Sequence, residues 1–179
     1  ALGVPSHEIL INQSSLIGTF CAMNSNGCIM PSFAEKQEIQ TIKKLGLNVY
    51  IMEEHPACGN NILTNNKAAA INPRIESTIT KQIGDCLNVE VFSQKPLSEI
   101  YALGAANVVT NKGLLAYNEM PSAELKMLEK TFKVRGLVGS TNMGVPFNGV
   151  SVCANKNGAI IGAECSGFEV QRIYEALSE

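Results

Sequence analysis

Six cysteines and two histidines are the residues of this sequence with the greatest reach as thiolate nucleophiles, redox centres or transition-metal ligands. Cys21, Cys28, Cys58, Cys86, Cys153 and Cys165 include no Cys-x-x-Cys pair, and no histidine joins them in a metal-ligand set. Most sit among Ala, Val, Ile and Met, where a reduced thiol packs as a small apolar side chain. The pattern predicts buried free thiols in a reducing compartment, with no disulfide framework, no metal and no cofactor. The one glycosylation sequon, Asn12-Gln13-Ser14, is then a chance match. His55, in "EEHPA", has Glu53 and Glu54 beside it and reads as a solvated loop residue.

The chain is long enough to bury a full core: 179 residues, 45% of them hydrophobic, predict one compact domain. Its 14 basic residues face 16 acidic ones, a balance that argues against a broad surface tracking nucleic-acid phosphates and against DNA as a partner. No apolar stretch approaches the roughly 20 residues that span a bilayer. The opening "ALGVPSHEIL" lacks the basic start and apolar centre of a signal peptide, so the expected setting is cytoplasmic.

A longer period organises the whole chain. Gly18, Gly59, Gly104 and Gly149 stand 41, 45 and 45 residues apart, and a turn rich in Asn or Lys follows each by a few residues. Around them "LIGTFCAM", "CGNNILT", "LGAANVVT" and "FNGVSVCA" read as short strands. Gly27, Gly113 and Gly158 then supply the positive φ of a tight hairpin, and Ala68 in the second turn predicts strain or another turn type. A second apolar strand and a helix come next. Ser32 with Glu35, and Ser166 with Glu169, fit helix capping boxes. One helical face is apolar in each unit, as in Ile79, Ile83 and Leu87 or Val170, Ile173 and Leu177. "LNVYIM" and "LNVEVF" close the first two units as near copies, and "FKVRGLV" closes the third.

The predicted fold is therefore an α+β repeat of strand, strand, helix, strand, with units at about 14–56, 57–101, 102–146 and 147–179. No unit can bury both its sheet and its helix alone, which predicts a propeller-like ring with neighbouring units sharing a core. Function then falls to polar residues at turns and strand ends.

The phrases "SSLIGTFCAMNSNGCIMP", "ACGNNILTNNKAAAINP", "GAANVVTNKG", "GSTNMGVPF" and "ANKNGAIIGAECSGFE" resemble successive segments of the initiation factor six family of ribosome anti-association factors, in its archaeal form. The resemblance implies a pentein fold (a β/α-propeller) with pseudo-fivefold ββαβ units, four of them in this chain and the N-terminal unit absent. It implies a monomeric, non-enzymatic cap on the large ribosomal subunit, seated against ribosomal protein L fourteen near the sarcin-ricin loop, that blocks joining of the small subunit. Carried over by position, Asn60 is the first contact candidate, with Thr19 as its counterpart one unit earlier, and Ser25, Asn26, Asn65 and Asn66 as neighbours in the turns. Each of these side chains could instead only satisfy a turn's backbone.

Two other readings stand beside it. The same fold superfamily includes guanidino-modifying enzymes, which need a cysteine activated by histidine; Cys165, in "GAECSGFE", lies in the right unit but adjoins no histidine, so an enzyme is not expected. A repeat scaffold for another protein would use the same surfaces.

Overall fold

Strands and helices follow one another at the expected period in the computed structural model, which describes residues 2–93 and 95–178. Ala1, Gln94 and Glu179, the last closing the predicted fourth unit, lie outside the described residues. The first repeat runs α1 (Ile17–Phe20), β1 (Ala22–Met23), β2 (Gly27–Pro31), α2 (Lys36–Lys44) and β3 (Asn48–Met52). The second runs α3 (Cys58–Asn61), β4 (Ile62–Thr64), β5 (Ala68–Ile71), α4 (Thr80–Leu87) and β6 (Glu90–Ser93). The third runs α5 (Leu103–Ala106), β7 (Val108–Val109), β8 (Gly113–Tyr117), α6 (Ser122–Phe132) and β9 (Arg135–Gly139). A short 3-10 turn (Asn148–Val150), β10 (Val152–Asn155), β11 (Gly158–Ile161) and α7 (Gly167–Leu177) follow.

Three sheets, β1-β2-β3, β4-β5-β6 and β7-β8-β9, share one topology, and β10-β11 is a hairpin. In each of the three, the first pair is antiparallel and the second parallel, with Ile29 opposite Tyr50, Ala70 opposite Phe92 and Leu115 opposite Leu137. Parallel pairing needs a crossover, and the helix between the second and third strands supplies it.

The start of each unit differs from expectation. What reads as the first half of a strand folds as a helical turn: α1, α3, α5 and the 3-10 turn each contain the repeating glycine. These turns pack one on the next. A Cβ built on Gly59 would lie 1.9 Å from the Gly18 carbonyl oxygen, one on Gly104 1.9 Å from that of Gly59, and one on Gly149 2.0 Å from that of Gly104. The period thus marks a stacked column of glycines, with Gly59, Gly104 and Gly149 each seated on the carbonyl of the glycine before it.

The hairpin turns differ too. Among the described residues the positive-φ glycines are Gly3, Gly46 and Gly144, so the turns do not use Gly27, Gly113 or Gly158 for left-handed backbone. A side-chain oxygen organises them instead. Asn24 Oδ1 accepts from the amides of Asn26 and Gly27, Asn65 Oδ1 from Lys67 and Ala68, Thr110 Oγ1 from Lys112 and Gly113, and Asn155 Oδ1 from Asn157 and Gly158. Ala68 therefore fits the same turn without strain.

Helix starts divide. Ser166 Oγ accepts from the Glu169 amide, completing the expected capping box at α7. At α2 the box is formed by Glu35 and Glu38, three residues beyond the expected Ser32. Ser166→Ala is expected to lower stability by about 1 kcal/mol, read as a reduced urea midpoint with an unchanged slope.

The cores sit at the seams between units. α4 lies across β2 and β3, α6 across β5, and α7 across β8 and β9. Ile83 and Leu87, Leu128 and Phe132, and Ile173 and Leu177 are the buried helix residues facing those sheets. Asparagine amides stitch the same seams: Asn24 Nδ2 donates to the carbonyls of Asn65 and Leu87, and Asn65 Nδ2 to those of Thr110 and Phe132. Asn155 Nδ2 donates to Leu2 O at 2.9 Å, so Leu2 stands where Leu87 and Phe132 stand in their seams. The next residue matches as well, with Gly3 at φ 61°, Asn88 at 52° and Lys133 at 53°. Among the described residues no helix crosses β10-β11 as α4, α6 and α7 cross their sheets, and Ile160 stays exposed.

Candidate partner-binding face

One end of the axis is built by the stacked helical turns. Thr19, Asn60, Ala105 and Val150 each follow a column glycine and take the corresponding place in successive units. Thr19 and Asn60, on the packed turns α1 and α3, are both half-buried. Neither side chain has a hydrogen-bond partner among the described residues. Leu16, Phe147 and Val150 border the same turns and are 60%, 40% and 65% exposed. Residues 15–21, 57–62, 102–109 and 147–154 contain no Asp, Glu, Lys or Arg. An uncharged end with exposed apolar side chains and an amide without a partner is chemically suited to a protein surface and poorly suited to phosphates.

The turn candidates lie at the other end of the inner strands. There Asn66 Oδ1 accepts from the Ser25 amide and Asn66 Nδ2 donates to Ser25 Oγ, both at 3.0 Å. Asn65 is 4% exposed and its amide is committed to the seam. Asn26 Nδ2 donates to Leu87 O, another seam bond. The structure thus brings Thr19 near Asn60, and separately Ser25 near Asn66, but does not gather all six into one surface. Leu16, Phe147 and Val150 were missed by sequence reasoning. The available signal was large apolar residues at places that other units fill with Ala57, Ala102, Asn60 or Ala105.

The thiols are mostly sealed. Burial pushes Cys58 up to about 12 and also raises Cys86. Contact with the Cys21 thiol, reinforced by burial, raises Cys28 far above the ordinary thiol range. Cys165 Sγ accepts from the Asn142 amide at 3.3 Å and meets Asn142 Oδ1 at 3.5 Å. Among the described residues no cluster of three or more His, Cys, Asp or Glu is placed to hold a metal ion, and no helix is long and apolar enough to cross a membrane.

Comparison with known proteins places this architecture. In fold, the chain is similar to the N-terminal domain of ArgZ, solved with a covalently bound reaction intermediate: the TM-score is 0.53 at 14% identity, over 91% of this chain. The chain spans 65% of that chain's length, and the likeness concerns the fold alone. In sequence, it is 39% identical to translation initiation factor 6 of Pyrococcus horikoshii, over 98% of this chain and 80% of that protein. Against the proteins of the same name from Saccharolobus islandicus and Methanosarcina mazei the identities are 36% and 35%, each over 99% of this chain and about 80% of the relative. A sequence model of the eIF-6 family matches residues 1–176, and with relatives of this identity along nearly its whole length the chain belongs to the eIF-6 family.

Proposed function

We propose that this protein acts in translation initiation by capping the large ribosomal subunit on its intersubunit face, so that the small subunit cannot join. The observation that carries the reading is the uncharged end built by the stacked turns, where Asn60 presents an amide with no partner among the described residues beside the exposed side chains of Leu16, Phe147 and Val150. Such a face docks by shape and buried apolar area, which fits a ribosomal protein such as L fourteen beside the sarcin-ricin loop. The action is steric, by a cytoplasmic monomer, and uses no catalytic group.

The reading includes a pentein ring of five positions. Leu2 repeats Leu87 in seam bonding and Gly3 repeats Asn88 in backbone, which supports reading residues 2–4 as the tail of a further unit beside the fourth hairpin. The uncrossed β10-β11 hairpin is where that unit's helix would lie.

The test is sedimentation of the protein with purified ribosomal subunits. Migration with the large subunit alone, and fewer joined ribosomes as protein is added, is the expected result; no migration with it overturns the reading. Asn60→Arg puts bulk and charge at the centre of the face and is expected to weaken large-subunit binding by about 2 kcal/mol or more. Its thermal unfolding should match the parent's, and unaltered affinity would mean that the docking face lies elsewhere.

A further inference from the structure

The hairpin-turn end of the axis, opposite the proposed docking face, is a funnel of about 350 Å³ with Val4 and Met23 exposed on its wall. Its polar rim follows a rule. In the second and third units the residue after the turn-organising side chain lends an amide oxygen to the unit before it: Asn66 Oδ1 accepts from the Ser25 amide, and Asn111 Oδ1 accepts from the Asn66 amide. The next place in the series belongs to Lys156, which has no oxygen to lend. The Asn111 amide N–H and the Lys156 ammonium consequently have no partner among the described residues. Lys67 differs, since its ammonium already donates to the carbonyls of Asn111 and Lys133. Across the four turns, 24–27, 65–68, 110–113 and 155–158, there are three lysines and no carboxylate.

We infer that this funnel is a binding site for a small organic anion, a compound with an apolar body and a phosphate or carboxylate head. The head would take the Lys156 ammonium and the Asn111 N–H, donors from two residues lining the funnel, in a charge-assisted combination suited to an oxygen-rich group. The body would lie on Val4 and Met23. The volume falls within the lower part of the usual range for small-molecule sites, roughly 300 to 1,000 Å³. One substitution explains both halves of the site, because replacing the amide oxygen with an ammonium removes an acceptor and adds a donor at the same point. The inference does not rest on ribosome binding, which uses the other end of the axis.

The experiment is amide-resolved NMR titration with adenosine 5′-monophosphate, inorganic phosphate and citrate as probes. A saturable shift at Asn111 and Lys156, with a dissociation constant near or below about 1 mM, is the expected result. Response to the two phosphate probes identifies a phosphate head, and response to citrate alone a carboxylate head. Lys156→Asn supplies the amide oxygen that the second and third units carry at this place, so it should bind the responding probe at least tenfold more weakly while melting no lower than the parent. Absence of a saturable shift with all three probes, or unchanged binding by Lys156→Asn, would overturn the site.

Discussion

Gly104→Ala is expected to leave no folded protein, a loss of more than about 4 kcal/mol from a domain whose whole stability is of order 5 to 15. The methyl group would stand 1.9 Å from Gly59 O and 2.8 Å from Ile62 O. Both obstacles are backbone in a neighbouring unit, so no rotamer change relieves them, and moving the α3 and α5 turns apart would break the stack of turns. Gly18→Ala supplies the contrast, because no atom of the other described residues beyond its chain neighbours and its own helical turn lies within 4 Å of its added methyl. That change should stay within about 0.5 kcal/mol of the parent. Soluble yield and urea unfolding of the two variants decide the matter: a Gly104→Ala protein that unfolds near the parent's midpoint would show that the column tolerates spreading.

Glu169→Ala should cost roughly 3 kcal/mol at neutral pH through loss of a buried, fully bonded charge. The Glu169 carboxylate accepts from Ser140 Oγ, the amides of Met143, Gly144 and Ser166, and Ser166 Oγ, at 2.8 to 3.2 Å. Burial by itself would raise its pKa, but these donors outweigh burial and bring it from 4.5 down to about 2. A folded value below the unfolded one means that the stabilisation is complete above about pH 4.5 and drains away as the pH falls toward 2. The same carboxylate anchors a loop in which Asn142 and Met143 adopt φ of 45° and 62°. Unfolding of parent and variant at pH 7 and pH 3 checks this, since the gap between them should narrow at the lower pH. An equal gap at both would mean that loop packing, and not the charge, carries the effect.

The repeat and its helices were legible in the sequence because both leave periodic traces. Leu128 and Phe132, or Ile173 and Leu177, mark buried faces whatever the tertiary setting. The repeating glycines were equally visible, but their purpose was not. Gly27 looks like a turn glycine, whereas a Cβ there would lie 2.2 Å from Cys86 O, which is 59 residues farther along the chain. Close approach between distant segments leaves no local pattern. The four-residue turns α1, α3 and α5 were hidden for a related reason, since so short a helix has no period of its own and is held by stacking on its neighbours. At the candidate face, Asn60 was nominated through the family resemblance, and its side chain has no hydrogen-bond partner among the described residues. Asn65 and Asn26 were nominated as contacts because a polar turn residue looks available until the carbonyl it serves, in another unit, is known.

The overlap of each helix with the preceding sheet has a consequence for the growing polypeptide. α4 lands on β2 and β3, α6 on β5, and α7 on β8 and β9, so each of these three helices finds its partner sheet already made as it leaves the synthetic machinery. Assembly can advance from the amino end toward the carboxyl end with each unit covering the one before it. At any pause, the apolar sheet open to chaperones or to neighbouring chains is the newest one.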